Sequence, residues 1–195
     1  MADYFADDNP LKNKLGISDP RSLHETEETS VANKTAELFQ ETPPNDFDLI
    51  YVKHIHKVLF EDIYDFAGHI RTVDITKPDS AVPFAHVEYI ESEAGRIFGE
   101  LKSKNYLVGL NREDFIQAVS ELSADLNALH PFREGNGRTI RLFLILLADQ
   151  AGYLLNYGQV STDELIKADK LAFEGDIDPL IAVYQKVVMS KKKAA

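Results

Sequence analysis

The chain has 195 residues, enough for one domain with a sizeable core, and 44% of them are hydrophobic. A formal net charge of −11 at pH 7 excludes a broad positive field, and with it general binding to nucleic acid or to anionic membranes. The absence of cysteine excludes a disulfide framework and thiolate metal sites.

Met1-Ala2-Asp3-Tyr4 opens acidic rather than basic and then apolar, so no classical signal peptide is expected. Residues 1–17 are polar and mixed. Ser18-Asp19-Pro20 predicts a helix start, with a cap candidate and then Pro at the first position. That helix reaches about Phe39, and its polar content reads as peripheral. Thr42-Pro43-Pro44-Asn45 is a breaker. Residues 1–47 are thus expected as an N-terminal extension. From Asp48, the residues Leu49, Ile50, Val52, Ile55, Val58, Leu59 and Ile63 recur at helical spacing, and Gly68 is expected to close the element. Arg71-Thr72-Val73-Asp74-Ile75-Thr76 alternates and is β-branched; Lys77-Pro78-Asp79-Ser80 is turn-prone, and Val82-Pro83-Phe84 completes a short predicted hairpin.

A further helix is predicted from Val87 to about Lys104, and another after the cap candidate Asn111, ending near His130-Pro131. Asn136 to about Gln150 is apolar nearly all round, which predicts a buried central helix stopped by Gly152. Its run Leu142–Ala148 is the longest apolar stretch and far too short to span a bilayer, so no membrane insertion is expected. Ser161-x-x-Glu164 is a capping box for a helix to about Phe173. Asp178-Pro179 starts the last helix, through about Met189, and 191–195 is a basic tail. The fold class is therefore all-α, a helical bundle around one buried helix with a single short hairpin.

The chemistry concentrates in His130-Pro131-Phe132-Arg133-Glu134-Gly135-Asn136-Gly137-Arg138-Thr139-Ile140-Arg141. A histidine beside a helix-stopping proline is followed by a flexible turn and a helix start, with Arg138 and Arg141 on one face. Free helix N–H groups and two guanidiniums make an anion site. Glu134 is an odd neighbour for a phosphate unless a divalent cation lies between them. The residues read as a nucleotide-phosphate site with Mg²⁺ and a histidine at its edge. His54 and His56 lie two apart, on nearly opposite helix faces, and make a poor metal pair; these two and His24, His69 and His86 read as structural.

The same stretch matches His-x-Phe-x-(Asp/Glu)-Gly-Asn-Gly-Arg-x-x-Arg at every specified position, and so resembles the signature of the Fic family of protein adenylyltransferases. The resemblance extends over roughly residues 48–188, a Fic core of residues 48–190. It implies transfer of AMP from ATP to a Ser, Thr or Tyr hydroxyl of another protein, with ATP as substrate and Mg²⁺ as cofactor. It assigns His130 as base, Gly135, Asn136 and Gly137 as the anion hole, Arg138 and Arg141 to the β- and γ-phosphates, and Glu134 to Mg²⁺. Phe132 should point inward. The hairpin resembles the family's flap, with Thr72, Val73, Asp74 and Ile75 holding a target segment by strand addition and Thr76 and Lys77 at the tip near the nucleotide. Phe66-Ala67-Gly68-x-x-Arg71 and Phe84-Ala85-His86 resemble further family landmarks.

Gly137 stands where a kinase-like branch carries Lys, which favours adenylyl over phosphoryl transfer; a phosphocholine-transferring branch has a degenerate motif, and this one is complete. The inhibitory pattern (Ser/Thr)-x-x-x-Glu-(Gly/Asn) of many family members is not found; Lys170-Leu171-Ala172-Phe173-Glu174-Gly175 comes nearest, with Lys where a hydroxyl is needed. That implies a small antitoxin-like inhibitory partner acting in trans. The resemblance further implies a bacterial toxin or secreted effector, cytoplasmic or delivered into a host cell. The alternatives are a catalytically silent binding module and a transferase using another nucleotide donor.

Overall fold

The computed structural model describes residues 12–76 and 83–190. Seven α-helices lie among them: α1 (Pro20–Leu38), α2 (Leu49–Phe60), α3 (Ile90–Ser103), α4 (Arg112–Leu129), α5 (Asn136–Ala151), α6 (Thr162–Phe173) and α7 (Asp178–Val187). Their starts follow from side-chain caps. Asp19 accepts from the Ser22 N–H at 2.8 Å, Asp48 from Tyr51 at 2.9 Å, Asn111 from Asp114 at 3.0 Å and Ser161 from Glu164 at 3.1 Å. The mainly helical architecture is the expected one. No described helix is long and apolar enough to cross a membrane.

α5 is the axis, packing on α2, α4 and the short strand that follows it. Phe143, Leu144, Leu147 and Ala148 are fully buried on it. Phe47, Tyr51, Phe98 and Phe143 form an edge-to-face aromatic cluster that joins α2 and α3 to it. α1 packs on α2.

The second element ends sooner than its apolar spacing suggested. α2 stops at Phe60, and the chain folds back so that the Gly68 N–H donates to His56 Nδ1 at 2.8 Å. Gly68 has φ +77°, and a Cβ there would lie 2.8 Å from the Lys57 Cβ, so this return needs glycine. Ile63 stays buried, but in the turn rather than on the helix. The third helix opens with a 3₁₀ turn, Val87–Tyr89, because Asp74 takes the Val87 N–H at 2.8 Å.

Besides the expected hairpin, whose turn residues 77–82 lie outside the described residues, there is a sheet that the sequence reading did not anticipate. β1 (Tyr153–Leu155) pairs antiparallel with β2 (Val188–Ser190), Leu155 opposite Val188. The last helix therefore ends at Val187, and the strand pair alternates buried Leu155 and Val188 with exposed Leu154 and Met189. In the hairpin region the described residues contain one isolated bridge, Thr76 to Pro83.

Candidate active site

The site forms where α4 ends and α5 begins. His130 is the C-cap of α4 in the left-handed conformation, φ +44°, its N–H bonded to Leu126 O at 3.1 Å. Pro131 cannot continue the helix, so the chain turns there. The imidazole stacks on Phe84, centroids 3.8 Å apart. Nδ1 lies 3.3 Å from the carbonyl of Asn127, which can only accept. Nδ1 therefore carries the proton and Nε2 the lone pair, the form a general base needs.

The loop behind His130 closes on itself. Asn136 accepts from the Phe132 N–H at 2.9 Å and donates back to its carbonyl at 2.8 Å. The Asn136 side chain is thus committed to the loop, and its backbone faces the helix start. The first intrahelical bond runs from Thr139 N–H to Gly135 O, so geometry leaves the N–H groups of Asn136, Gly137 and Arg138 for a ligand. Gly135 is the residue that needs to be glycine for backbone reasons: φ is +78°, and a Cβ would lie 2.4 Å from the Phe60 ring. Gly137, part of the same flexible turn, sits in the regular first turn of α5 without positive φ, because the reversal is completed at Gly135. Its missing Cβ leaves room beside the Arg141 guanidinium, 3.3 Å away.

Arg138 and Arg141 share a face but not a fate. Arg138 pairs with Glu27 at 3.0 Å and Glu134 at 3.3 Å, and lies over the Phe60 ring at 4.8 Å. Arg141 makes no ion pair among the described residues, and its charge, like that of Asp169, is felt at the Tyr157–Tyr184 hydroxyl pair. Burial pushes both phenols up, Tyr184 to about 12, so neither supplies a counter-charge. Among the described residues no three His, Asp or Glu side chains gather around a metal position. Glu134, beside the helix N-terminus and 33% exposed, is a single hard carboxylate donor of the kind Mg²⁺ takes.

Phe132 is fully buried, stacked 3.8 Å from His56. His56, read from the sequence as an ordinary structural histidine, is the prop beneath the loop. Its Nδ1 accepts from Gly68, so Nε2–H donates to the Glu134 carbonyl at 2.9 Å. Burial, and secondarily Arg138, lowers its pKa to about 4, against the pull of that carbonyl.

Arg71 is a second residue whose role the sequence did not show. Its side chain is fully buried and donates to the carbonyls of His130 at 2.8 Å, Val73 at 2.9 Å and Ala85, while its N–H donates to Pro131 O at 2.9 Å. One guanidinium thus joins the base of the hairpin to the histidine. Asp74 ties the same base to His86 Nδ1 at 2.8 Å and to Val87. Of the flap residues, Thr72 and Val73 are exposed, Asp74 is engaged as just described, Ile75 is 3% exposed, and Thr76 bridges Pro83. The buried Ile75 side chain makes a proline there a test of packing as well as of strand edge. Lys77 lies outside the described residues.

Residues 46–148 match the model of the Fic/DOC family, over half of the chain. The chain belongs to this family. It is 40% identical over 176 residues to the protein adenylyltransferase VbhT of Bartonella schoenbuchensis, covering 90% of this chain and 36% of VbhT. This chain thus spans about a third of that relative's length. It is 34% identical over 179 residues to the probable protein adenylyltransferase y4lH of Sinorhizobium fredii, covering 91% of each. Among solved structures it resembles BepC of Bartonella tribocorum, a VirB-translocated effector crystallised with AMPPNP, at a TM-score of 0.88, 30% identity and 93% coverage of both chains. The enzyme class expected from the sequence, a nucleotidyltransferase, is that of these relatives by name.

Proposed function

We propose that this chain is a protein adenylyltransferase that moves AMP from ATP to a Ser, Thr or Tyr hydroxyl of a target protein. The observation that carries the reading is the joining of a base to an anion site: the loop that caps α4 at His130 also starts α5, and hydrogen bonds hold it at both ends. A hydroxyl is a weak nucleophile near neutral pH and needs such a base. His130 Nε2 takes the hydroxyl proton, the oxygen attacks the α-phosphorus, the bond to the bridging oxygen breaks, and pyrophosphate leaves. The N–H groups of Asn136, Gly137 and Arg138 face the growing phosphate charge. Arg141 has no competing partner among the described residues and suits the outer phosphates, with Arg138 beside it. Mg²⁺, when bound, neutralises phosphate charge, and Glu134 is the carboxylate that would hold it. The segment Arg71–Thr76 would align the target as an added strand, with Thr76 and Lys77 near the nucleotide.

In the same reading the chain serves as a bacterial toxin or secreted effector, a setting supported by the likeness to BepC, which is titled an effector. Its inhibitor is a separate small protein whose glutamate reaches Arg141. Expression of the isolated chain should then label proteins of its bacterial host, and a co-expressed inhibitor should stop the labelling, whereas the same inhibitor with that glutamate replaced by glycine should not.

The direct test is incubation with α-labelled ATP and a cell lysate. Labelled protein bands are expected, reduced by about 10²–10⁴-fold in His130→Ala, the usual contribution of a general base. No label with the intact chain would leave a silent binding module, and label from the γ-position would mean phosphoryl transfer.

A further inference from the structure

α1 lies outside the residues that match the family model, and its sequence reads as a solvent-facing helix. Yet Glu27, in the run Glu25-Thr26-Glu27-Glu28, is 6% exposed, while Glu25 and Glu28 on either side are open to solvent. Its Oε2 holds Arg138 Nη1 at 3.0 Å and its Oε1 accepts from the Tyr64 hydroxyl. Tyr64 is itself buried, and burial and the glutamate both push its phenol up, so it stays protonated and donates. A buried carboxylate without partners would be costly; this one has both oxygens satisfied. The guanidinium is held on its other sides by the Phe60 ring and by Glu134, the more exposed of its two carboxylates.

Two carboxylates on one guanidinium divide its attraction. Glu27 is fixed by Tyr64, whereas Glu134 stands on the loop at the helix N-terminus. We propose that Glu27 is a positioning residue of the nucleotide site: it holds Arg138 in place on α5 and so leaves Glu134 able to turn from Arg138 toward the divalent cation that would accompany the nucleotide. The inference rests on the nucleotide-site reading given above. It makes α1 part of that site. Without the Glu27 charge, Arg138 and Glu134 pair undivided, and the carboxylate is withheld from that cation.

Glu27→Gln keeps the shape and tests the charge. Two measurements separate this proposal from the one beneath it. In the unliganded protein, the NMR signal of the Arg138 side-chain Nε–H should shift and broaden in Glu27→Gln and stay close to its wild-type place in Glu134→Gln; the reverse pattern would show that Glu134 is the holder and overturn the proposal whether or not ATP binds. With nucleotide, Glu27→Gln should raise the KM for ATP about tenfold, the scale of one charge-assisted contact, with kcat changed less than about twofold. In a Glu134→Gln background the same substitution should have little further effect on KM, because the two act as one unit. An unchanged or lowered KM, or an effect that simply adds to Glu134→Gln, would overturn it, as would a fall in thermal stability with nucleotide binding untouched. Failure of the wild-type chain to bind ATP at all would instead count against the nucleotide-site reading, leaving the Arg138 signal to decide who holds the arginine.

Discussion

The floor and the rim of the site are built in opposite ways. Beneath the loop, His56, Phe60, Phe132 and Asn136 are buried, and they fix its shape by stacking and by mutually satisfied polar pairs. At the rim, Arg71 and Asp74 reach across to main-chain carbonyls and N–H groups, and the residues between them are partly open to water. A floor of this kind sets where the helix N-terminus points and tolerates little change in volume. A rim of this kind sets where the hairpin base lies, largely through backbone contacts that do not depend on neighbouring side chains. The difference implies that substitutions below the loop register mainly in stability, and those on the outer rim mainly in transfer.

The sharpest way to break that division is at Gly135. Alanine there meets both a positive φ and the Phe60 ring 2.4 Å from its methyl carbon, so a loss of about 2–4 kcal/mol in urea unfolding is expected. Gly137→Ala is the control. It places a methyl 3.3 Å from the end of a flexible arginine, in a regular helical turn, and stability should change by less than about 1 kcal/mol. Binding of an ATP analogue, followed by calorimetry, should nonetheless weaken in Gly137→Ala, because the methyl occupies the approach to the phosphates. Equal stability of the two variants would mean that the floor is softer than its packing suggests.

His56 sharpens the comparison through pH. The unfolded chain binds a proton at His56 below about 6.5, and the folded chain only below about 4. Between those values the unfolded state binds more protons, so stability rises with pH and is lost on acidification, by about 3 kcal/mol across the whole window. Above pH 6.5 the group adds no pH dependence. Unfolding free energies measured at pH 7 and 5 should therefore differ by roughly 2 kcal/mol more in the wild type than in His56→Gln. The same difference in both proteins would show that His56 does not titrate on unfolding.

Much of this architecture was legible in the sequence, for identifiable reasons. The caps Asp19, Asn111 and Ser161 are local chemistry, and the apolar stripe of α5 is local periodicity, so those elements stand where they were expected. The end of α2 was not legible, since the chain turns back there to reach His56, a contact across 12 residues. The strands β1 and β2 have three residues each and pair over a separation that no local pattern reports. Within the site, the motif residues were visible because they are contiguous. The roles of Glu27, His56 and Arg71 arise from contacts spanning 111, 78 and 59 residues, and in the sequence each looked like an ordinary helix or turn residue. For Arg71, its place in Phe66-Ala67-Gly68-x-x-Arg71 was the local hint.

The smallest effect on stability is expected at the outermost rim, where the flap reading can be tested without disturbing the core. Ile75 is unsuited to that purpose because its side chain is buried. Val73 is 43% exposed, and its carbonyl rather than its N–H serves the fold, by accepting from Arg71. Val73→Pro removes one N–H from the edge that would pair with a target and leaves that carbonyl in place. Unfolding free energy should change by less than about 1 kcal/mol, as at other exposed sites, and binding of an ATP analogue should be unaltered. Transfer to protein targets should fall by about tenfold, because a displacement of the hydroxyl by a fraction of an ångström already slows its attack. If the variant modifies its targets at the wild-type rate, the target strand does not pair at this edge. The exposed face of residues 72–73 would then be ordinary surface, and alignment of the hydroxyl would have to come from contacts elsewhere on the chain.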